Sequence, residues 1–165
     1  MNKKAKTHFI SDAQLSAVEA LSNAWIEAGL VPQTWNPDNF RKGNINECAV
    51  FIGIHGNTNG FLNWVEDQIV KRQTFGSDPK NHDGYDLYDT IQGRYIDAKT
   101  VPGKWLTLNE NSHRMSKADV YTNAEFINRN EFRIRSITHQ RFEKLKMKST
   151  IKGLVFVSAD KLYYE

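Results

Sequence analysis

The chain has 165 residues, 39% hydrophobic and 25% charged, the composition of an ordinary globular protein rather than a disordered one, and its length fits one domain with one core, spanning 1–165. No apolar run approaches the ~20 residues needed to cross a bilayer, and the basic start "MNKKAKTHFISDAQ" lacks the apolar stretch of a signal peptide. A single cysteine, Cys48, excludes an internal disulfide and points to a reducing cytoplasm, with the thiol as a small buried hydrophobe. The net charge is +3. From Arg129 to Lys152 eight basic residues stand against two acids, an excess of six. A concentrated basic segment is the usual footprint of a polyanion partner, and equally the pattern of a solvated helix face.

In chain order, Ser11 to Ala28 reads as a helix. Ser11 and Gln14 form an S-x-x-Q capping box, and Leu15, Val18, Leu21 and Trp25 recur at helical spacing. Gly29 and Pro32 stop it. "PQTWNPDNFRKGN" is turn-rich and reads as a loop, and "INECAVFIGIHG" as a helix starting near Asn44, with a buried strand as the alternative. "GFLNWVEDQIVKRQ" reads as a further helix. "YDLYDTI" and "RYIDAKTV" then read as strands, with Gln92-Gly93 at the turn between them. "KWLTL" reads as another strand or a continuation, and "NENSHRMSKADVYTNAEF" as a polar loop leading to a strand around Val120 and Tyr121. "RIRSI" reads as a strand, "THQRFEKLKMK" as a helix, and "GLVFVSADKLYY" as holding a buried strand. The four tryptophans read as core anchors. The order of elements predicts one α/β (α+β) domain.

The acids of the hairpin carry the chemistry. Strand side chains alternate between faces, so Tyr95, Asp97, Lys99 and Val101 share one face, with Asp97 and Lys99 roughly 7 Å apart along the strand. Asp86 shares a face with Tyr88 and Thr90, while Asp89 lies opposite. Pairing can bring Asp86 close to Asp97. Two converging carboxylates repel unless a cation separates them, and hard oxygen donors suit Mg²⁺. A lysine beside that cation can orient a water or stabilise charge on a phosphate. The competing reading is a solvated hairpin whose charges pair across strands. The scattered histidines and single cysteine give no zinc-type spacing.

The segment "GYDL…GRYIDAKT" resembles the PD-(D/E)XK nuclease superfamily, which includes many restriction, homing and junction-resolving enzymes. The likeness rests on Gly84 to Val101, about a tenth of the chain. It implies a restriction-endonuclease-like core, a mixed central sheet flanked by helices, and Mg²⁺-dependent hydrolysis of DNA, with Mn²⁺ as a substitute and a 5′-phosphate product. By match Asp86 and Asp97 bind the metal and Lys99 completes the motif. "RKGNINE" nominates Glu47 as a helix acid, with Glu66 as its rival. No proline precedes Asp86, which leaves Asp83 and Asp89 as competitors. Lys104, His113, Arg114, Lys117, Arg141 and Lys144 are candidate DNA contacts. One site per chain implies a homodimer or higher oligomer for cutting both strands. The reading from another class is a nucleic-acid-binding protein without catalysis, using the basic 129–152 segment.

Overall fold

The computed structural model describes residues 5–56 and 85–165. The stretch read as a helix at 60–73, with Glu66 and Trp64, lies outside the described residues, as does Asp83. After the edge strand β1 (Thr7–Phe9), α1 (Asp12–Glu27) begins as expected. The Ser11 hydroxyl accepts the Gln14 N–H at 3.1 Å, and the Gln14 side chain accepts the Ser11 N–H at 2.9 Å.

The next helix corrects the sequence reading. α2 spans Pro37–His55 and absorbs most of the expected loop. Asn36 caps it by accepting the N–H groups of Asp38 and Asn39, and Pro37 fills the first turn, where its missing N–H is no loss. The "NPD" triplet that signals a turn is here a helix start. The two helices are joined by Arg41 to Asn23 (2.6 Å) and Asn44 to Ser22 (2.9 Å).

The main sheet is mixed, in the order β1-β6-β5-β3-β2 with β9 also on β6. Its strands are β2 (Leu87–Asp89), β3 (Arg94–Ala98), β5 (Val120–Phe126), β6 (Glu131–Thr138) and β9 (Tyr163–Tyr164), with β1 at the edge. β3 and β5 run parallel; the other pairs are antiparallel. α1 and α2 cover one face: Ile96, Ala98, Val120, Ala124, Phe132 and Ile134 share a buried cluster with Leu15, Val18 and residues 48–52.

The opposite face meets a second, three-stranded sheet in the order β4-β8-β7, made of β4 (Trp105–Asn109), β7 (Met147–Lys148) and β8 (Leu154–Ser158). Leu106, Leu108, Val155 and Val157 pack there with Tyr121, Ile137 and Phe142. "KWLTL" therefore starts a separate sheet. The 109–117 stretch is less loop-like than expected, since it holds α3 (Glu110–Met115), and the basic helix is shorter, with α4 (His139–Leu145) giving way to β7. The fold is the expected mixed α+β type. Among the described residues, no helix is long and apolar enough to cross a membrane.

Candidate functional site

β3 is an inner strand, between β2 and β5. Ile96 and Ala98 point at the helices, and Asp97 lies beside its register partner Tyr121 on the face toward the second sheet. Asp97 is 5% exposed, unusual for a carboxylate. Lys99 Nζ lies 3.4 Å from Asp97 Oδ1, so the acid and lysine of the motif form a largely buried ion pair.

Asp86 arrives from β2. The register Leu87↔Ile96, continued by one pair, sets Asp86 opposite Asp97. The backbone leaves the ladder there. The Asp86 N–H donates to the Ile96 carbonyl at 2.9 Å, and the Asp86 carboxylate accepts the Ala98 N–H at 2.8 Å. A side-chain oxygen thus stands in for a strand carbonyl, which holds the Asp86 carboxylate against the edge of β3 beside Asp97. Asp86, Asp97 and Glu47 all make further interactions within the protein.

The turn between these strands is longer than Gln92-Gly93. The Asp89 carboxylate accepts the N–H groups of Ile91 (2.9 Å) and Gln92 (3.1 Å), and Gly93 adopts a φ of 67°. Asp89 also takes Arg94 Nε at 3.0 Å, and Arg94 reaches Glu165, which bonds Ser136. Burial alone raises the Asp89 pKa, but these N–H donors and Arg94 outweigh it and hold the carboxyl below its usual range. Asp89 is therefore committed to bracing the hairpin, which removes it as a rival of Asp86. Sequence reading missed Arg94 and Glu165 in this role, and 71 positions separate them.

Glu47 sits half-buried on α2, directly after Asn46, whose side chain accepts the Ala124 N–H at 2.9 Å and pins the helix to β5. Among the described residues, no group of three or more His, Cys, Asp or Glu side chains is arranged to hold a metal ion. A Mg²⁺ site commonly uses one or two carboxylates plus substrate phosphates and water, so the chemistry of the Asp86–Asp97 donor set fits such an ion.

The candidate DNA contacts divide. Lys104, Arg114, Lys117, Arg141 and Lys144 are exposed. His113 is not. It is 2% exposed, with Nδ1 2.7 Å from the Tyr121 hydroxyl and Nε2 2.5 Å from Glu143. Its ring stacks on His139 at 4.3 Å. Both nitrogens are engaged inside the protein, which takes His113 out of the surface set.

The basic 129–152 segment is also not one helix. It runs through β6, α4 and β7, and half of its eight cations face acids: Arg129 with Asp12, Arg133 and Arg135 with Glu125, and Lys146 with Glu143. Of the four tryptophans, Trp25 is buried as expected, whereas Trp35 (41%) and Trp105 (47%) are exposed. No protein-family model matches the chain, and a search of curated proteins finds no relative.

Proposed function

We propose that the protein is a metal-dependent endonuclease hydrolysing DNA phosphodiester bonds at Asp86, Asp97 and Lys99. One observation carries the reading. The Asp86 carboxylate is held on the Ala98 N–H, one residue along β3 from the buried Asp97, and Lys99 Nζ lies 3.4 Å from Asp97. A buried Asp–Lys pair replaced by apolar side chains of similar size is often neutral or stabilising, so stability alone does not account for it.

Asp86 and Asp97 hold Mg²⁺, with Mn²⁺ as a substitute, and the ion supplies Lewis-acid stabilisation of the phosphate and activation of water. Asp97 orients the Lys99 ammonium. Lys99 directs its N–H groups at the attacking water or at an oxygen gaining charge, where a fixed donor in a water-poor setting counts most. Glu47 is the candidate helix acid, although α2 packs on the Ile96 face of the sheet and not on the Asp97 face. Lys104, Arg114, Lys117, Arg141 and Lys144 bind backbone phosphates, and two chains act together where both strands are cut.

The test is nicking of supercoiled plasmid and of branched oligonucleotides in Mg²⁺ and in EDTA. The parent should cleave only with the metal. Lys99→Ala and Asp97→Asn should each lower kcat by at least 100-fold while keeping the parent circular dichroism spectrum. Equal residual cleavage by Lys99→Ala and the parent would mean a contaminating nuclease and sink the assignment.

A further inference from the structure

The second sheet has one buried face and one that nothing described covers. Strand alternation turns Leu106, Leu108, Val155 and Val157 inward and Trp105, Thr107 and Phe156 outward. Phe156 stands opposite Thr107 on one side and Met147 on the other, so the outward residues form one surface across all three strands. Trp105 and Phe156 meet edge to face at 5.1 Å, and Trp105 (47%) and Met147 (49%) are half exposed. An antiparallel sheet with a solvated side normally presents polar residues there, and this one presents rings.

Charge makes the surface more specific. Residues 102–109 and 146–161, which comprise this sheet with its connecting loop and the turn after it, contain five lysines and one aspartate, an excess of four. The whole chain carries +3, so the remainder carries a net −1. All the excess positive charge lies with the second sheet. Lys104 leads into Trp105 on edge strand β4, Lys148 lies on edge strand β7 opposite the inward Val155, and Lys152 lies in the β7–β8 loop, so these exposed lysines rim the outer face rather than stand on it, without an ion pair among the described residues.

We propose that this outer face is a platform for single-stranded nucleic acid. Unpaired bases offer π-faces to Trp105 and Phe156, while the lysines at the rim meet the phosphates. A duplex hides its base faces and would leave the rings unused. A second copy of the chain would bring like charges together, which disfavours self-association through this face. The platform is separate from the Asp97 site, which lies on the main sheet, on the face toward the inner side of the second sheet. It gives the 129–152 basic segment a place: its four cations without a described acid partner are Arg141, Lys144, Lys148 and Lys152, and the last two belong to this sheet.

The test is fluorescence anisotropy of labelled dT12, U12 and a 12-base-pair duplex with the full chain in EDTA, so that cleavage plays no part. The single strands should bind more tightly than the duplex. A stacked base contributes about 1–3 kcal/mol, or roughly 5- to 150-fold in affinity, so Trp105→Leu should weaken dT12 binding at least ~10-fold and Trp105→Phe should retain it. The double variant Lys148→Gln/Lys152→Gln should make the slope of log K against log salt shallower by about 1.4, two single-strand phosphate contacts. Unchanged affinity in Trp105→Leu, duplex binding as tight as single-strand binding, or binding only to phosphatidylserine vesicles would overturn the platform. So would a dimer in sedimentation that Trp105→Leu dissolves. Binding is read in EDTA and the variants lie outside Asp86, Asp97 and Lys99, so failure here leaves the nuclease reading standing, and failure of cleavage leaves this one standing.

Discussion

At residue scale, burial decides how His113 behaves. Desolvation pushes its pKa below the usual histidine range, with the hydrogen bond to Glu143 opposing and the neighbouring His139 and Lys146 reinforcing. Glu143 is held below the usual carboxylate range by its bonds to His113 and Lys146. The consistent arrangement is a neutral ring that donates from Nε2 to Glu143 and accepts the Tyr121 hydroxyl at Nδ1. Because the folded ring resists protonation, the unfolded chain binds more protons below pH 6.5. Stability present at neutral pH is therefore lost as pH falls from there through the folded pKa. Melting temperature should drop between pH 7.5 and 5.5, and His113→Gln, less stable throughout, should flatten that drop. His8 is shifted the same way by burial and Lys6 and leaves a residual slope. Identical slopes for parent and variant would rule out His113 as the source. None of this was legible locally, since Tyr121 and Glu143 lie 8 and 30 positions away. The Asp97–Lys99 neighbourhood was legible, because period-two alternation requires it.

At the scale of elements, Gly53 sets how closely α2 rests on the sheet. A Cβ added there would stand 2.5 Å from Ile134 Cγ1 and 2.7 Å from its Cδ1, with Phe132 at 3.3 Å. Ile134 and Phe132 are 1% and 0% exposed and have no room to retreat. Alanine improves mid-helix propensity by about 1 kcal/mol, whereas overpacking costs typically about 1–3 kcal/mol. The second effect wins here, because both contacts are below any normal carbon separation. Gly53→Ala should lower unfolding free energy by about 1–2 kcal/mol in urea titration, and adding Ile134→Val should recover part of it. A Gly53→Ala protein as stable as the parent would show the interface to be looser than these distances. Element boundaries were legible where a signal has one meaning, as in the Ser11–Gln14 capping box. They were not where a signal has two: Asn36-Pro37-Asp38 serves a turn and a helix N-terminus equally well. Met147 and Lys148 continued an apparent helix until pairing with β8 made them a strand, and such pairing is not local information.

At the scale of the molecule, two layers divide the work. The helices close one side of the main sheet, and the second sheet, rimmed by lysines, closes the other. The sequence supported the α+β class, since its helical and strand-like periodicities fall in separate parts of the chain. It counted the charge of 129–152 correctly but could not pair it, and pairing decides which cations remain available to a partner. A count of eight became four once Asp12, Glu125 and Glu143 were located.

The register of β1 has a consequence in time. Thr7 pairs with Arg133, so this edge closes a loop spanning most of the chain, whereas β2–β3 and β5–β6 are hairpins and β3 finds β5 within about thirty residues. Closing long loops is entropically expensive and comes late in folding. The strand bearing Asp97 should then be paired on both sides while the sheet is still open at β1. Pulse-labelled hydrogen exchange should find the β3 and β5 amides protected in an earlier phase than those of β1. Simultaneous protection would mean that the sheet forms in a single step, with no moment at which the candidate site exists on an unfinished scaffold.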